Sequence, residues 1–144
     1  MALPGGHRFA VSMADVFPHG VYAMSVEQAM DWDEKTGRRS ASRDKQADGQ
    51  FVWTVTVIDR DPDAREKQVK VKVTAPVQPV LPGEIAPGTG LSAVDFVGMT
   101  ITPYVNEGRG RARMAHSIRA LSVAPQGRAA QGRQAPPQGD GKAA

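Results

Sequence analysis

Apolar residues return at every second position over several stretches of this chain, a period that belongs to strands rather than to helices. The clearest run is Phe51-Val52-Trp53-Thr54-Val55-Thr56-Val57-Ile58, rich in β-branched and aromatic residues. It places Phe51, Trp53, Val55 and Val57 on one face and Thr54 and Thr56 on the other. Asp59 to Arg65 carries turn residues, and Val69-Lys70-Val71-Lys72-Val73 then alternates strictly. The two runs predict a hairpin with the valines inward and Lys70 and Lys72 outward. His19 to Asp31 also alternates, with Tyr22, Met24, Val26 and Met30 on one side and Ser25, Glu27 and Asp31 on the other, which reads as a half-buried strand. Ser25-Val26-Glu27-Gln28 also matches a capping box, so a short helix within residues 25–35 stays open beside the strand. Phe96 to Val105 is a fourth strand region and Asn106 to Gly110 a glycine-rich turn. Its partner, Arg111 to Ser122, sets Ala112, Met114, His116, Ile118 and Ala120 on a packing face and Arg111, Arg113, Ser117 and Arg119 on the other.

The intervening segments lack such a period. Asp33 to Gly49 is polar, with turn pairs at Thr36-Gly37 and Asp48-Gly49, and reads as a long exposed loop or wide hairpin connection. Residues 76–90 hold Pro76, Pro79, Pro82, Pro87 and three glycines, which forbids a regular helix and predicts a long irregular connection. Phe9 to Met13 could form a short arm along a sheet edge. From about Val123 onward, small residues, Gln, Gly and Pro dominate, and such a segment buries too little to offset its ordering entropy. Five strand regions whose edges must be hidden predict an all-β fold, a small antiparallel five-stranded barrel. The specific expectation is an OB-like barrel over residues 19–122, without the usual inter-strand helix and with long loops. An N-terminal arm (residues 1–18) precedes it and a disordered basic tail (residues 123–144), with Arg128 and Arg133, follows.

Composition narrows the chemistry. The 144 residues contain no cysteine, so disulfides, thiolate metal sites and cysteine nucleophiles are excluded. Neither a signal-peptide pattern nor a stretch long enough for a spanning helix is present, and a cytoplasmic protein with no membrane association is expected. Asp59, Asp61 and Asp63 suggest a calcium loop, but Ala64 stands where the loop needs Gly and Lys70 where it needs Glu. His7, His19 and His116 lack zinc-motif spacing, and Gly83, Gly88 and Gly90 lack the setting of a phosphate loop. The expectation is therefore no catalytic residue, no metal and no cofactor: a binding protein and not an enzyme.

Net charge is +3, and almost all of the acids fall within residues 1–123, so a polyanion surface must arise from segregated charge. Lys70 and Lys72 on one strand, and Arg111, Arg113 and Arg119 on another, each project from one side of their strand. If these strands are neighbours, they form a cationic stripe suited to a phosphate backbone, or else an ordinary solvated face guarded against edge pairing. Tyr22, Trp32, Trp53 and Tyr104 could stack bases; Trp53 reads as core, leaving Trp32 and Tyr104 as the exposed platforms.

Three groups of residues in order carry a resemblance: Val16-Phe17-Pro18-His19-Gly20; the run from Phe51 to Asp61 with Ala64-Arg65 and Val69 to Val73; and Thr102-Pro103-Tyr104-Val105 with Ser117-Ile118-Arg119-Ala120. Together they resemble the plasmid replication, integration and excision activator family of integrative and conjugative elements in Streptomyces and related actinomycetes. The resemblance implies a cytoplasmic accessory protein for replication, excision and integration of a mobile genetic element, and it supplies no catalytic residues. DNA, with single strands favoured for an OB-like surface, is the expected partner. The alternative is an interaction module that recruits a replication initiator or recombinase without touching DNA. Exposed strand edges would also allow a homodimer.

Overall fold

The computed structural model describes residues 7–44 and 48–127. Its centre is the pair expected from the alternating runs. β6 (Gln50–Asp59) and β7 (Gln68–Thr74) pair antiparallel, with Val55 opposite Val71, Thr54 opposite Lys72 and Thr56 opposite Lys70. Val55, Val57, Val71 and Val73 are wholly buried, and Lys70 and Lys72 are exposed on the other face. The turn between them is built by its own acids. The Asp59 carboxylate accepts from the Asp61 N–H, the Asp61 carboxylate accepts from the Asp63 N–H, and Lys67 Nζ donates to the Asp61 carbonyl.

β2 (Val21–Gln28) pairs with the free side of β6, and β8 (Ser92–Val97) with the other side of β2. β9 (Thr100–Asn106) pairs antiparallel with β10 (Arg113–Ala120), and β10 lies parallel to β7, with Arg119 beside Lys72. Two short strands finish the path: β1 (Phe9–Ala10) on β9 and β11 (Ser122–Pro125) on β8. The resulting sheet runs β1-β9-β10-β7-β6-β2-β8-β11 and is curled around one core. That core contains Val21, Ala23, Val94, Phe96, Met99 and Ala120 besides the four valines.

The fold is all-β, as expected, but its pairing corrects the sequence reading in several places. There are more strands than five, and the β7–β10 pair is parallel, so the sheet is not purely antiparallel. The region expected as one strand from Phe96 to Val105 is two, β8 and β9, broken at Gly98-Met99. A bulge between Ala23 and Ser25 shifts the register of β2 on β6. Because the side-chain period is two, one extra residue exchanges faces. Val21, Ala23 and then Val26 point to the core, while Met24 is exposed and Tyr22 packs beneath Arg60, whose Cζ lies 4.6 Å from the ring centroid. Residues 25–28 and 30–33 are in strands and 34–37 in a turn, so no helix forms within residues 25–35.

The arm is also more than an edge strand. Ser12 caps the four-residue helix α1 (Met13–Val16) by a reciprocal pair of hydrogen bonds with Asp15, and Met13 and Phe17 enter the core from it. The expected tail begins too early, since Val123 and Ala124 are strand residues on β8; the remainder, with Arg128 and Arg133, lies outside the described residues from 128 onward. Residues 75–91 form the irregular connection that the prolines require. Among the described residues, no helix is long and apolar enough to cross a membrane.

Gly98 shows why the break between β8 and β9 needs glycine. Its φ is +66°, and a Cβ there would stand 2.7 Å from Leu121 Cδ1. Gly98→Ala is expected to cost about 1–3 kcal/mol through backbone strain, with Leu121 forced aside. Urea unfolding with an unchanged m-value and a lower midpoint checks this; an unchanged midpoint contradicts it.

Candidate nucleic-acid interface

The register places outward residues from five strands on one continuous face. One row runs Ser25, Thr56, Lys70 across β2, β6 and β7; the next runs Glu27, Thr54, Lys72, Arg119, Thr100 across β2, β6, β7, β10 and β9. Along β10 the same face continues through Ser117 and Ala115 to Arg113, with Tyr104 beside Ala115. This supplies the neighbour relation on which the cationic stripe depended. Lys72 and Arg119 sit on adjacent strands.

A polar hairpin stands over part of this face. β3 (Met30–Asp33) and β4 (Arg38–Ala41) pair with Trp32 opposite Arg39, and the turn closes with Gly37 N–H donating to the Asp33 carbonyl at 2.8 Å. The root of the hairpin is fastened to β6. Ala29 N–H donates to the Val52 carbonyl, Val52 N–H to the Ser42 carbonyl, and Ser42 N–H to the Ala29 carbonyl, at 2.9–3.1 Å. Ser42 Oγ also donates to Asp31 at 2.7 Å.

Between hairpin and sheet lies a groove of about 750 Å³, lined by Trp32, Arg39, Thr54, Thr56, Lys70 and Lys72, with Glu27 and Asp31 as its acids. Trp32 is 62% exposed. Its neighbours offer hydroxyl, ammonium and guanidinium groups. The arrangement can therefore stack one planar ring while pairing with negative charge alongside it.

Arg119 is placed differently from the two lysines. It is half-buried, and its Nη1 donates to Asp44 Oδ2 at 3.4 Å. Asp44, on the short strand β5 (Arg43–Asp44), is 5% exposed and also accepts two hydrogen bonds from Arg8, at 3.1 and 3.0 Å, and one from Thr74 Oγ1 at 3.1 Å. Burial, and then the Arg8 charge, pull the Arg119 guanidinium below its ordinary pKa, with Asp44 opposing them. The cluster borders a second hollow of about 300 Å³.

Arg111 and Arg113 lie at the far end of the β9–β10 hairpin, where with Asn106 and Gly108 they line a separate hollow of about 390 Å³. Tyr104, 47% exposed, is on the same hairpin. The packing face expected for this strand holds only near its end: Ile118 and Ala120 pack, but Met114 and His116 are exposed because the hairpin continues beyond the core. Trp53 faces the core side, its Nε1 donating to the Ala75 carbonyl at 2.9 Å. The structure thus gathers Lys70, Lys72 and Trp32 in one groove, holds Arg119 beside it, and carries Arg111, Arg113 and Tyr104 elsewhere on the sheet.

Sequence reasoning missed Arg39, Arg8 and Asp44. Arg39 was within reach, because Trp32 and Arg39 flank the Thr36-Gly37 turn at hairpin spacing. No family model, no curated protein and no solved structure matches this chain.

Proposed function

We propose that this protein binds single-stranded DNA in the groove between the β3–β4 hairpin and the outer face of β6 and β7. The observation that carries the reading is the placement of exposed Trp32 and Arg39 across from Lys70 and Lys72 in one groove. Single-strand binders combine a cationic track with aromatic platforms, because every base has a stacking face and every nucleotide a phosphate.

The strand pairing supports a five-stranded OB-like barrel as the frame. If β8 and β9 count as one bent strand, the ring runs β2, β6, β7, then β10 in parallel, then β9, and returns through β8 to β2. Residues 75–91 stand in the place of the usual helix without forming one. OB folds bind oligonucleotides on strands two and three and on the loop between strands one and two, which here are β6, β7 and the segment carrying Trp32. With the order of motifs described above, this reading makes the protein a cytoplasmic, non-catalytic accessory factor for replication, excision and integration of an actinomycete mobile element.

A second reading is favoured by a different surface. Tyr104, Val105 and Met114 are exposed on the projecting β9–β10 hairpin and suit a protein partner such as an initiator or recombinase. Trp32→Ala separates the two. Loss of one stacking platform is expected to weaken single-strand affinity by about 5- to 100-fold with no change in melting temperature. Fluorescence anisotropy measures it; unchanged affinity in the folded variant removes the groove from the account.

A further inference from the structure

The hollow beside the groove has a chemistry of its own. Arg8, Arg43, Lys72 and Arg119 line it, against the two carboxylates of Asp31 and Asp44. Arg8 grips Asp44 through both Nη atoms, whereas Arg119 has a single longer bond to it. A guanidinium has five N–H donors, so that bond leaves most of the donating capacity of Arg119 for another acceptor. Within this trio two cations share one anion. An incoming anion would add to the attraction of Asp44 and so offset the Arg8 repulsion that, after burial, depresses the Arg119 pKa.

Position ties the hollow to the groove. Ala29, Asp31, Ser42 and Lys72 line both, so the two are continuous. Lys72 and Arg119 are register partners on neighbouring strands, whose axes lie about 4.8 Å apart, close enough for the oxygens of one tetrahedral anion to meet both side chains. A guanidinium presents its donors in a planar fork that suits phosphate oxygens.

We propose that this hollow is a phosphate seat in which Lys72 and Arg119, backed by Arg8 and Arg43, hold one phosphate group of the strand whose base stacks on Trp32. The inference rests on the single-strand reading above and adds to it a fixed point on the backbone. The phosphate is either a diester within the strand or a monoester at its end.

The test begins with inorganic phosphate alone. Melting of the full chain in phosphate, against chloride at matched ionic strength, is expected to show added stability in the wild type and equally in Trp32→Ala. Arg119→Gln reduces that gain to the general stabilisation an excluded anion gives any folded chain, and Arg119→Lys restores part of the difference. Lys72→Gln, at an exposed position, gives the same readout if Arg119→Gln does not fold. With oligonucleotides, Arg119→Gln is expected to lower single-strand affinity about tenfold. If a terminal phosphate raises wild-type affinity but not that of Arg119→Gln, the seat takes a strand end; if it changes nothing while the variant still binds less tightly, the seat takes an internal diester. A phosphate gain that depends on Arg119 without any oligonucleotide binding would sink the single-strand reading and leave the seat standing. A phosphate gain no larger in the wild type than in Arg119→Gln, together with unchanged single-strand affinity in folded Arg119→Gln and Lys72→Gln, overturns the seat and leaves the groove intact.

Discussion

Reversing both groove lysines, Lys70→Glu with Lys72→Glu, is expected to lower single-strand affinity by about 100-fold at low salt while leaving the protein folded. Both side chains are exposed, so neither contributes packing that the substitution would remove. Each exposed ion pair is worth roughly 0.2–1 kcal/mol, and reversal turns that attraction into repulsion of similar size. Two sites, coupled to a multiply charged strand, then reach the expected loss. Salt dependence supplies a second readout: loss of two phosphate contacts should flatten the slope of log affinity against log salt by about 1.4. Anisotropy titrations at several salt concentrations give both quantities. Unchanged affinity and slope would mean that the lysines only guard the sheet face.

The largest effect on stability is expected at Phe96. It is 2% exposed, lies on β8 opposite Val123 of β11 and joins the core cluster. Phe96→Ala leaves a cavity that the curled sheet cannot collapse to fill, and the expected cost is about 3–5 kcal/mol. For a domain of this size that corresponds to a fall in melting temperature of about 10–25 °C. Val80→Ala is the control. Val80 is 87% exposed on the irregular connection, and its loss should cost no more than about 0.5 kcal/mol. Calorimetry of the two variants separates a packed core around Phe96 from a loosely apolar interior, for which both changes would be small.

How much of this was legible in the sequence depended on whether a residue's surroundings were local. The β6–β7 hairpin was readable because Val and Thr, then Val and Lys, alternate without interruption, and the buried valines and outward lysines followed directly. The face of β2 was misread because the bulge after Ala23 adds a residue to one strand alone, a feature of pairing that leaves no mark on the pattern. The helix α1 spans a single turn, too short for a helical period to show, although Ser12 and Asp15 carried its capping signature. The hairpin bearing Trp32 has no buried face in β3, so from Asp33 onward the sequence left a loop and a wide hairpin connection both open.

The candidate site divides along the same line. Lys70, Lys72 and Trp32 were chosen from alternation and aromatic character, and the fold brings them to one groove. Arg119 was chosen by the same rule, but its environment is set by Asp44, 75 residues earlier, and by Arg8. No local pattern announces an ion cluster assembled from three distant segments. Arg111 and Arg113 have the right period but sit where the β9–β10 hairpin has left the rest of the face behind.

Binding of single strands in the groove is the proposal on which the other affinity expectations stand. It is tested most directly by the affinity of the full chain for one labelled oligonucleotide, single-stranded and as a duplex, across a range of salt concentrations. Tighter binding of the single strand is expected, with log affinity falling linearly against log salt by about 0.7 for each phosphate neutralised. Tighter binding of the duplex, or no binding of either form at low salt, would contradict it and leave the exposed β9–β10 hairpin as the working surface.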